Sequence, residues 1–291
     1  MALKQYHMRE PHVPDSRPIH ATSRPKHSPV QRHVIFPFHY APNEKTVYVT
    51  ASIPDTPGTL AALLKVLSRR VNLIGTSSYS LGRNVAIFAG FGEILSGAAN
   101  AQSLRAEIVK ASGVNRCQVW ESNQGLIVDR FHTGFQGGVG EPYLVFPTGG
   151  LSDAFEKIVS TFGSGGSTLL YDLGLDYAKG RSGLYKGIMG PHPESRLDEL
   201  TAIVTALGYC NSTASFDTDY SALRLTSEEC FECSTPSETG RSCSFLRGMA
   251  VGIFGPLFGL ELVGEETKCR HRGDEYCEFV LKAKDAGPLV R

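Results

Sequence analysis

The residues able to do chemistry gather towards the C-terminus of this 291-residue chain. From Cys243 to Phe279 it reads CSFLRGMAVGIFGPLFGLELVGEETKCRHRGDEYCEF, with three cysteines (Cys243, Cys269, Cys277) and an acidic pair (Glu265, Glu266) around a segment rich in glycine and phenylalanine. Thiolates are soft metal ligands, a carboxylate is an acceptable fourth donor, and Zn2+ takes four such donors at the corners of a tetrahedron. Glu266 and Cys269 lie three apart, and HRGDEY, with a Gly-Asp pair at its centre, can turn the chain so that Cys277 returns beside Cys269. Cys243 must then come from the preceding element. Cys230 and Cys233 form a Cys-x-x-Cys, either a metal half-site or a redox pair, and on spacing alone either competes with Cys243 as a ligand. The competing reading is apolar filling, because cysteine is among the most buried residue types and no second Cys-x-x-Cys is present.

The elements that must position these residues can be read from periodicity. LSDAFEKIVSTFG reads as a helix with Ser152 as N-cap and Phe155, Ile158, Val159 and Phe162 on one face. After a GSGGS break, TLLYDLGLDYAKG reads as a second helix with Leu169, Leu170, Leu173 and Tyr177 inward. A third runs from Glu194 to Gly208. TASFDTDYSALRLTSEE gives two strands around Asp217-Thr218-Asp219, SFLRGMAVGIFGPLFG a closely packed helix, and LELVGEETKC and EYCEFVLKA the last strands. Phe155, Phe162, Tyr171, Phe245, Phe254 and Phe258 would line an apolar pocket for a hydrophobic or aromatic small molecule, or else fill a core.

The pattern C-S-F-L-R-G…G…E-T-K-C…G-D…C-E-F resembles the C-terminal signature of the 4-vinyl reductase domain family. That family includes sensor domains of phenol-responsive transcription activators and a bacteriochlorophyll biosynthesis protein. The resemblance implies a small α+β ligand-binding domain and a zinc ion held by three cysteines and a glutamate, which fall here on Cys243, Glu266, Cys269 and Cys277. Such a closed four-donor site leaves no position for an activated water and is structural.

Nearer the N-terminus, TVYVTASIP alternates as a strand and is followed by a helix from Thr59 to Arg70. Two strands meet at Gly82-Arg83-Asn84, and a helix over 100–111 and the strand CQVWES complete a β-α-β-β-α-β order, the ferredoxin-like split motif. Asp55-Thr56-Pro57-Gly58-Thr59-Leu60 resembles the first loop of the ACT regulatory domain. The resemblance implies dimerisation, and amino-acid binding at Asp55, Pro57 and Gly58, where backbone amides at a helix start can hold an anion. The expected fold class is thus α+β, a ferredoxin-like ACT-type domain plus an α/β 4-vinyl-reductase-type domain. The expected divisions are a His/Pro-rich arm (1–45), the ACT-like domain (46–125), a linker or hairpin (126–150) and the zinc and small-molecule-binding domain (151–285).

Composition sets the outer limits. The formal charge is zero, which gives no global electrostatic case for nucleic acid or an anionic membrane. No run of about 18 apolar residues is present, so no transmembrane helix is expected. Seven cysteines, an odd number, argue against a disulfide framework and for the cytoplasm. Six of nine histidines fall in the first 45 residues with seven prolines, a stretch too poor in aliphatic residues to offset its ordering entropy. The reading these features favour is a cytoplasmic small-molecule sensor, a homodimer reaching nucleic acid only through a partner. Its alternatives are an enzyme or accessory protein in tetrapyrrole vinyl reduction, for which no phosphate loop, dinucleotide fingerprint or catalytic set is visible, and an interaction scaffold.

Overall fold

The computed structural model describes residues 37–82, 84–95, 100–110, 113–114, 116–137, 140–285 and 287–290. The first 36 residues of the expected arm lie outside them. The chain divides into two compact units, one ending at Gly134 and the other beginning at Phe135. Both are mixed α/β with antiparallel sheets. Among the described residues no helix is long and apolar enough to cross a membrane.

The first unit contains β1 (Phe38–Tyr40), β2 (Thr46–Pro54), α1 (Thr59–Leu67), β3 (Val71–Gly82), β4 (Val85–Ile94), α2 (Ala101–Lys110), β5 (Arg116–Ser122) and β6 (Leu126–Val128). Its four-stranded sheet has the order β3-β4-β2-β5. Alternation along β2 explains the layering: Val47, Val49, Ala51 and Ile53 pack with Leu63 and Leu67 of α1 and Leu104 and Ile108 of α2. Tyr48 points the other way, and with Ala89 and Phe91 is covered by Ile127. Residues 38–40, assigned by composition to the arm, instead pair with β6, His39 opposite Ile127. Asp55, Pro57 and Gly58 lie exposed ahead of α1, with Gly58 at a φ of +90°.

A polar cluster follows the β6 segment. Asp129 accepts from the backbone N–H groups of Phe131 (2.8 Å) and His132 (2.9 Å) and lies 2.6 Å from His132 Nδ1, while His132 Nε2 meets the Tyr79 hydroxyl of β3 at 2.8 Å. Burial pushes the Asp129 carboxyl up, but these hydrogen bonds outweigh it and hold it below the usual carboxylate range. A depressed carboxyl contributes stability that is fully present above its unfolded value and lost as pH falls through its folded one. Asp129→Asn is therefore expected to destabilise this unit at pH 7 by about 1–3 kcal/mol, with the gap to wild type closing as pH is lowered below about 4. Denaturant unfolding at pH 7 and pH 3 checks this; an equal gap at both would contradict it.

The second unit contains a short hairpin of β7 (Phe135–Gln136) and β8 (Pro142–Tyr143), then α3 (Thr148–Phe162), α4 (Ser164–Lys179), α5 (Ser182–Met189), α6 (Leu197–Ala206), β9 (Asn211–Phe216), β10 (Ala222–Glu228), α7 (Ser244–Phe258), β11 (Leu262–Lys268) and β12 (Cys277–Ala283). Its sheet has the order β11-β12-β10-β9. α4 starts within GSGGS, so the break is the single residue Gly163, at a φ of +58°. Its buried face is Gly166, Leu170, Gly174 and Ala178, whereas Leu169 and Leu173 are exposed. The reason is packing against α7: a Cβ on Gly174 would collide with the Phe245 carbonyl oxygen, and one on Gly248 with that of Tyr171. Only glycine permits backbones this close, so the glycine face wins over the leucine face.

Ser152 is not an N-cap but lies inside α3. It is fully buried, with its hydroxyl 2.8 Å from the Glu232 carbonyl oxygen.

Candidate metal centre

Three elements and two turns bring five thiols together. Cys243 is the N-cap of α7, a position where unpaired N–H groups favour a thiolate. Cys277 opens β12, whose inward residues Cys277, Phe279 and Leu281 face the same side as their β10 partners Ser227, Leu225 and Leu223. Glu266 stands on the inward face of β11, next to the register shift between Glu266 and Lys268. Cys269 follows, its N–H donating to the Asp274 carboxylate at 2.7 Å across the turn that Gly273 closes at a φ of +93°. Cys230 caps the start of a single 3-10 turn after β10, Phe231–Cys233, and Cys233 ends it.

The sulfurs are close. Cys243 Sγ lies 3.4 Å from Cys230, 3.2 Å from Cys233, 3.9 Å from Cys269 and 3.7 Å from Cys277. Cys233 Sγ lies 3.9 Å from Cys269 and 3.6 Å from Cys277. Cys243, Cys269 and Cys277 are fully buried, Cys230 nearly so, and Cys233 is half-buried. All seven cysteines are free thiols. The cluster could hold a metal ion through Cys230, Cys233, Cys243 and Cys277, through Cys243, Glu266, Cys269 and Cys277, or through Cys233, Cys269 and His271, in each of which the donor atoms lie within 4.8 Å of one another. Buried thiols this close cannot all ionise without a cation, and a soft divalent ion suits such a donor set.

The surroundings are strongly polar. Cys269 is pulled down to about 7, chiefly by its sulfur contacts with Cys233 and Cys243. Burial, helped by the neighbouring Cys269, pushes the Glu266 carboxyl up to about 8. Both Glu266 oxygens face the backbone N–H of Cys243, at 3.1 and 3.2 Å. Beneath the cluster Glu232 is fully buried and pushed up to about 8 by that burial; it accepts from the N–H groups of Phe245 (3.3 Å) and Leu246 (2.7 Å) and so caps α7 from outside the helix. Arg241, 4% exposed, lies 3.5 Å from Glu232 and 3.1 Å from Glu156, and donates to the Ser152 carbonyl and hydroxyl. His271 directs its ring nitrogens at the carbonyl oxygens of Arg241 (3.1 Å) and Thr235 (3.0 Å). The sequence alone singled out neither Glu232 nor Arg241; a charged pair beside a Cys-x-x-Cys and ahead of a long apolar helix was the available signal.

The expected pocket residues scatter. Phe155, Phe245 and Phe254 are buried, Tyr171 and Phe258 partly so. Phe155 and Phe245 meet Phe231 edge to face as core, and Arg247 lies over the Tyr171 ring. Phe162, in the last turn of α3, is 66% exposed and lines nothing, because the chain turns away at Gly163. A cavity of about 40 Å³ lies between α6, α7 and the sheet, bounded by Leu200, Val204, Cys210, Leu225, Met249 and Phe254 among others. Of the six expected lining residues it includes Phe254 alone.

Known proteins share parts of this arrangement. Residues 223–283 match the vinyl-4-reductase domain. An uncharacterised protein of Methanocaldococcus jannaschii is 34% identical over 59 residues, 20% of this chain, and the match spans 34% of that protein's length. The phenol-responsive sensory domain of the transcription activator PoxR, solved with phenol, aligns with a TM-score of 0.43 at 17% identity, over 53% of this chain and 85% of that one. A vinyl-4-reductase family protein of Methanocaldococcus jannaschii aligns with a TM-score of 0.33 at 18% identity, over 48% of this chain and 83% of that one. The matched stretch contains the five clustered cysteines and Glu266, and the C-terminal region of the chain thus carries a vinyl-4-reductase domain.

Proposed function

We propose that this is a cytoplasmic small-molecule sensor in which a structural zinc ion braces the wall of an apolar ligand cavity. The observation that carries the reading is the continuity of α7: its N-cap, Cys243, belongs to the thiol cluster, and Leu246, Met249, Ala250, Ile253 and Phe254 further along it bound the cavity. A metal at one end fixes the helix whose flank the ligand would touch. The match to the vinyl-4-reductase domain supports the same reading. Four protein donors make the zinc structural rather than catalytic.

The lining is apolar with a few hydroxyls, Thr201, Ser212 and Ser227, which suits a hydrophobic or mono-aromatic compound bearing one polar group. At about 40 Å³ the cavity is smaller than such a compound. Occupancy then requires α6 or α7 side chains to move, and that movement is the signal. In this reading residues 151–285 form the sensing domain and residues 46–125 an ACT-like ferredoxin-type domain that makes a homodimer or binds an amino acid at Asp55, Pro57 and Gly58. Nucleic acid is reached through a partner.

The test is thermal unfolding with a panel of phenols and alkylbenzenes, for wild type and Ala250→Val, which adds two methyl groups at the cavity wall. At a ligand concentration about a hundred times Kd, wild type gains about 2.7 kcal/mol, a rise of several degrees in Tm. The variant loses most of this. A panel with no effect on wild type, or an undiminished shift in Ala250→Val, would remove the cavity from the argument.

A further inference from the structure

The resemblance to 4-vinyl reductase domains implies a glutamate among the metal ligands; the distances in this chain favour a different donor. Bonds of about 2.3 Å to sulfur in a tetrahedron separate the sulfurs by about 3.8 Å. Among Cys233, Cys243, Cys269 and Cys277, five separations run from 3.2 to 3.9 Å, and the sixth, Cys269 to Cys277, is within 4.8 Å. These separations are close to those a tetrahedral four-sulfur shell requires. Cys233 reaches the other three sulfurs from the 3-10 turn after β10, a strand separated from β11 by β12.

Glu266 has other work. With both oxygens on the Cys243 N–H, its side chain, 3% exposed, fixes the N-cap residue in place, and Arg272 lies 3.9 Å away. His271 completes a third close group with Cys233 and Cys269, but its two ring nitrogens are each within hydrogen-bond distance of a backbone carbonyl oxygen, of Arg241 and of Thr235.

We propose that a metal ion in this cluster is bound by four thiolates, Cys233, Cys243, Cys269 and Cys277, with Glu266 as a positioning residue and Cys230, which groups with Cys233, Cys243 and Cys277 but not with Cys269, as an uncoordinated fifth thiol. This rests on the reading that the cluster holds a metal. An all-sulfur shell is softer than one with a carboxylate and selects Zn2+ over hard divalent ions more strongly. It also carries more negative charge, and Arg272 stands 3.9 Å from the Glu266 carboxylate.

X-ray absorption at the zinc edge, on the full chain loaded with Zn2+, decides the shell directly. The expected spectrum for wild type has four sulfurs at about 2.3 Å and no light atom. Glu266→Gln and Cys230→Ser keep that shell, whereas Cys233→Ser exchanges one sulfur for an oxygen or nitrogen at about 2.0–2.2 Å. Three sulfurs and one light atom in wild type, with the light atom altered by Glu266→Gln, would overturn the ligand assignment and leave the metal reading intact. Wild type that takes up no zinc overturns both. Because the wild-type spectrum alone separates these outcomes, poor folding of Cys233→Ser does not blunt the test.

Discussion

Cys277→Ser is expected to lose metal and folded structure together in the second unit. The residue is fully buried at the first position of β12, and its sulfur lies 3.6 Å from that of Cys233 and 3.7 Å from that of Cys243. A hydroxyl there is a poor zinc donor and leaves the remaining thiols crowded without a cation. Structural zinc contributes about 10–16 kcal/mol in small metal-dependent domains, which matches or exceeds the whole stability of a typical domain, about 5–15 kcal/mol. The variant should therefore copurify with far less than one zinc per chain, and its second unit should become sensitive to protease. Elemental analysis and limited proteolysis read the two effects separately. Stoichiometric zinc in a protease-resistant Cys277→Ser would show that the cluster is not a metal centre built on this residue.

Arg241→Leu is expected to cost about 3–5 kcal/mol, the usual penalty for breaking a buried charged pair from one side. The guanidinium ties three segments together: Ser152 and Glu156 of α3, the Glu232 turn and the start of α7. Leucine fills part of the space but leaves the Ser152 carbonyl and the Glu232 carboxyl short of donors in a site closed to water. Denaturant titration measures the loss. Adding Glu156→Gln to Arg241→Leu should recover part of it, since Glu156, whose carboxyl is held below the usual carboxylate range, is the charged partner left behind and a neutral amide needs no counter-charge. A loss under about 1 kcal/mol for the single variant would mean that the network is ornamental.

The parts that sequence made legible are those set by short-range pattern. β2 alternates between two apolar faces, α1 repeats leucine at helical spacing, and the turn residues Gly82, Asn84 and Gly273 all have positive φ. The gathering of thiols near the C-terminus was legible for the same reason, since Gly273-Asp274 makes a local turn beside Cys269. What depended on distant partners was not. The buried face of α4 follows from the glycines of α7, far along the chain, and leucine counting selects the opposite face. α5 is short, and SGLYKGIM carries glycine twice within it, so its local signal is weak. Cys230 and Cys233 could be named as competitors of Cys243, but the distance from Cys233 to Cys269 depends on how β10 is followed by a 3-10 turn, and spacing along the chain does not encode that.

The contact between α4 and α7 also has a mechanical side. Helices separated by bulky side chains can absorb a small displacement by changing rotamers. At Gly174, Gly248 and Gly252 carbonyl groups of one helix meet the backbone of the other, and there are no rotamers to change. The two helices are geared together: a shift or rotation of α7, whether begun at its cysteine end or on its cavity flank, has to be passed on to α4. Its far side presents Leu169 and Leu173 to the surface, so an event inside the unit has a stiff route to an apolar patch outside it.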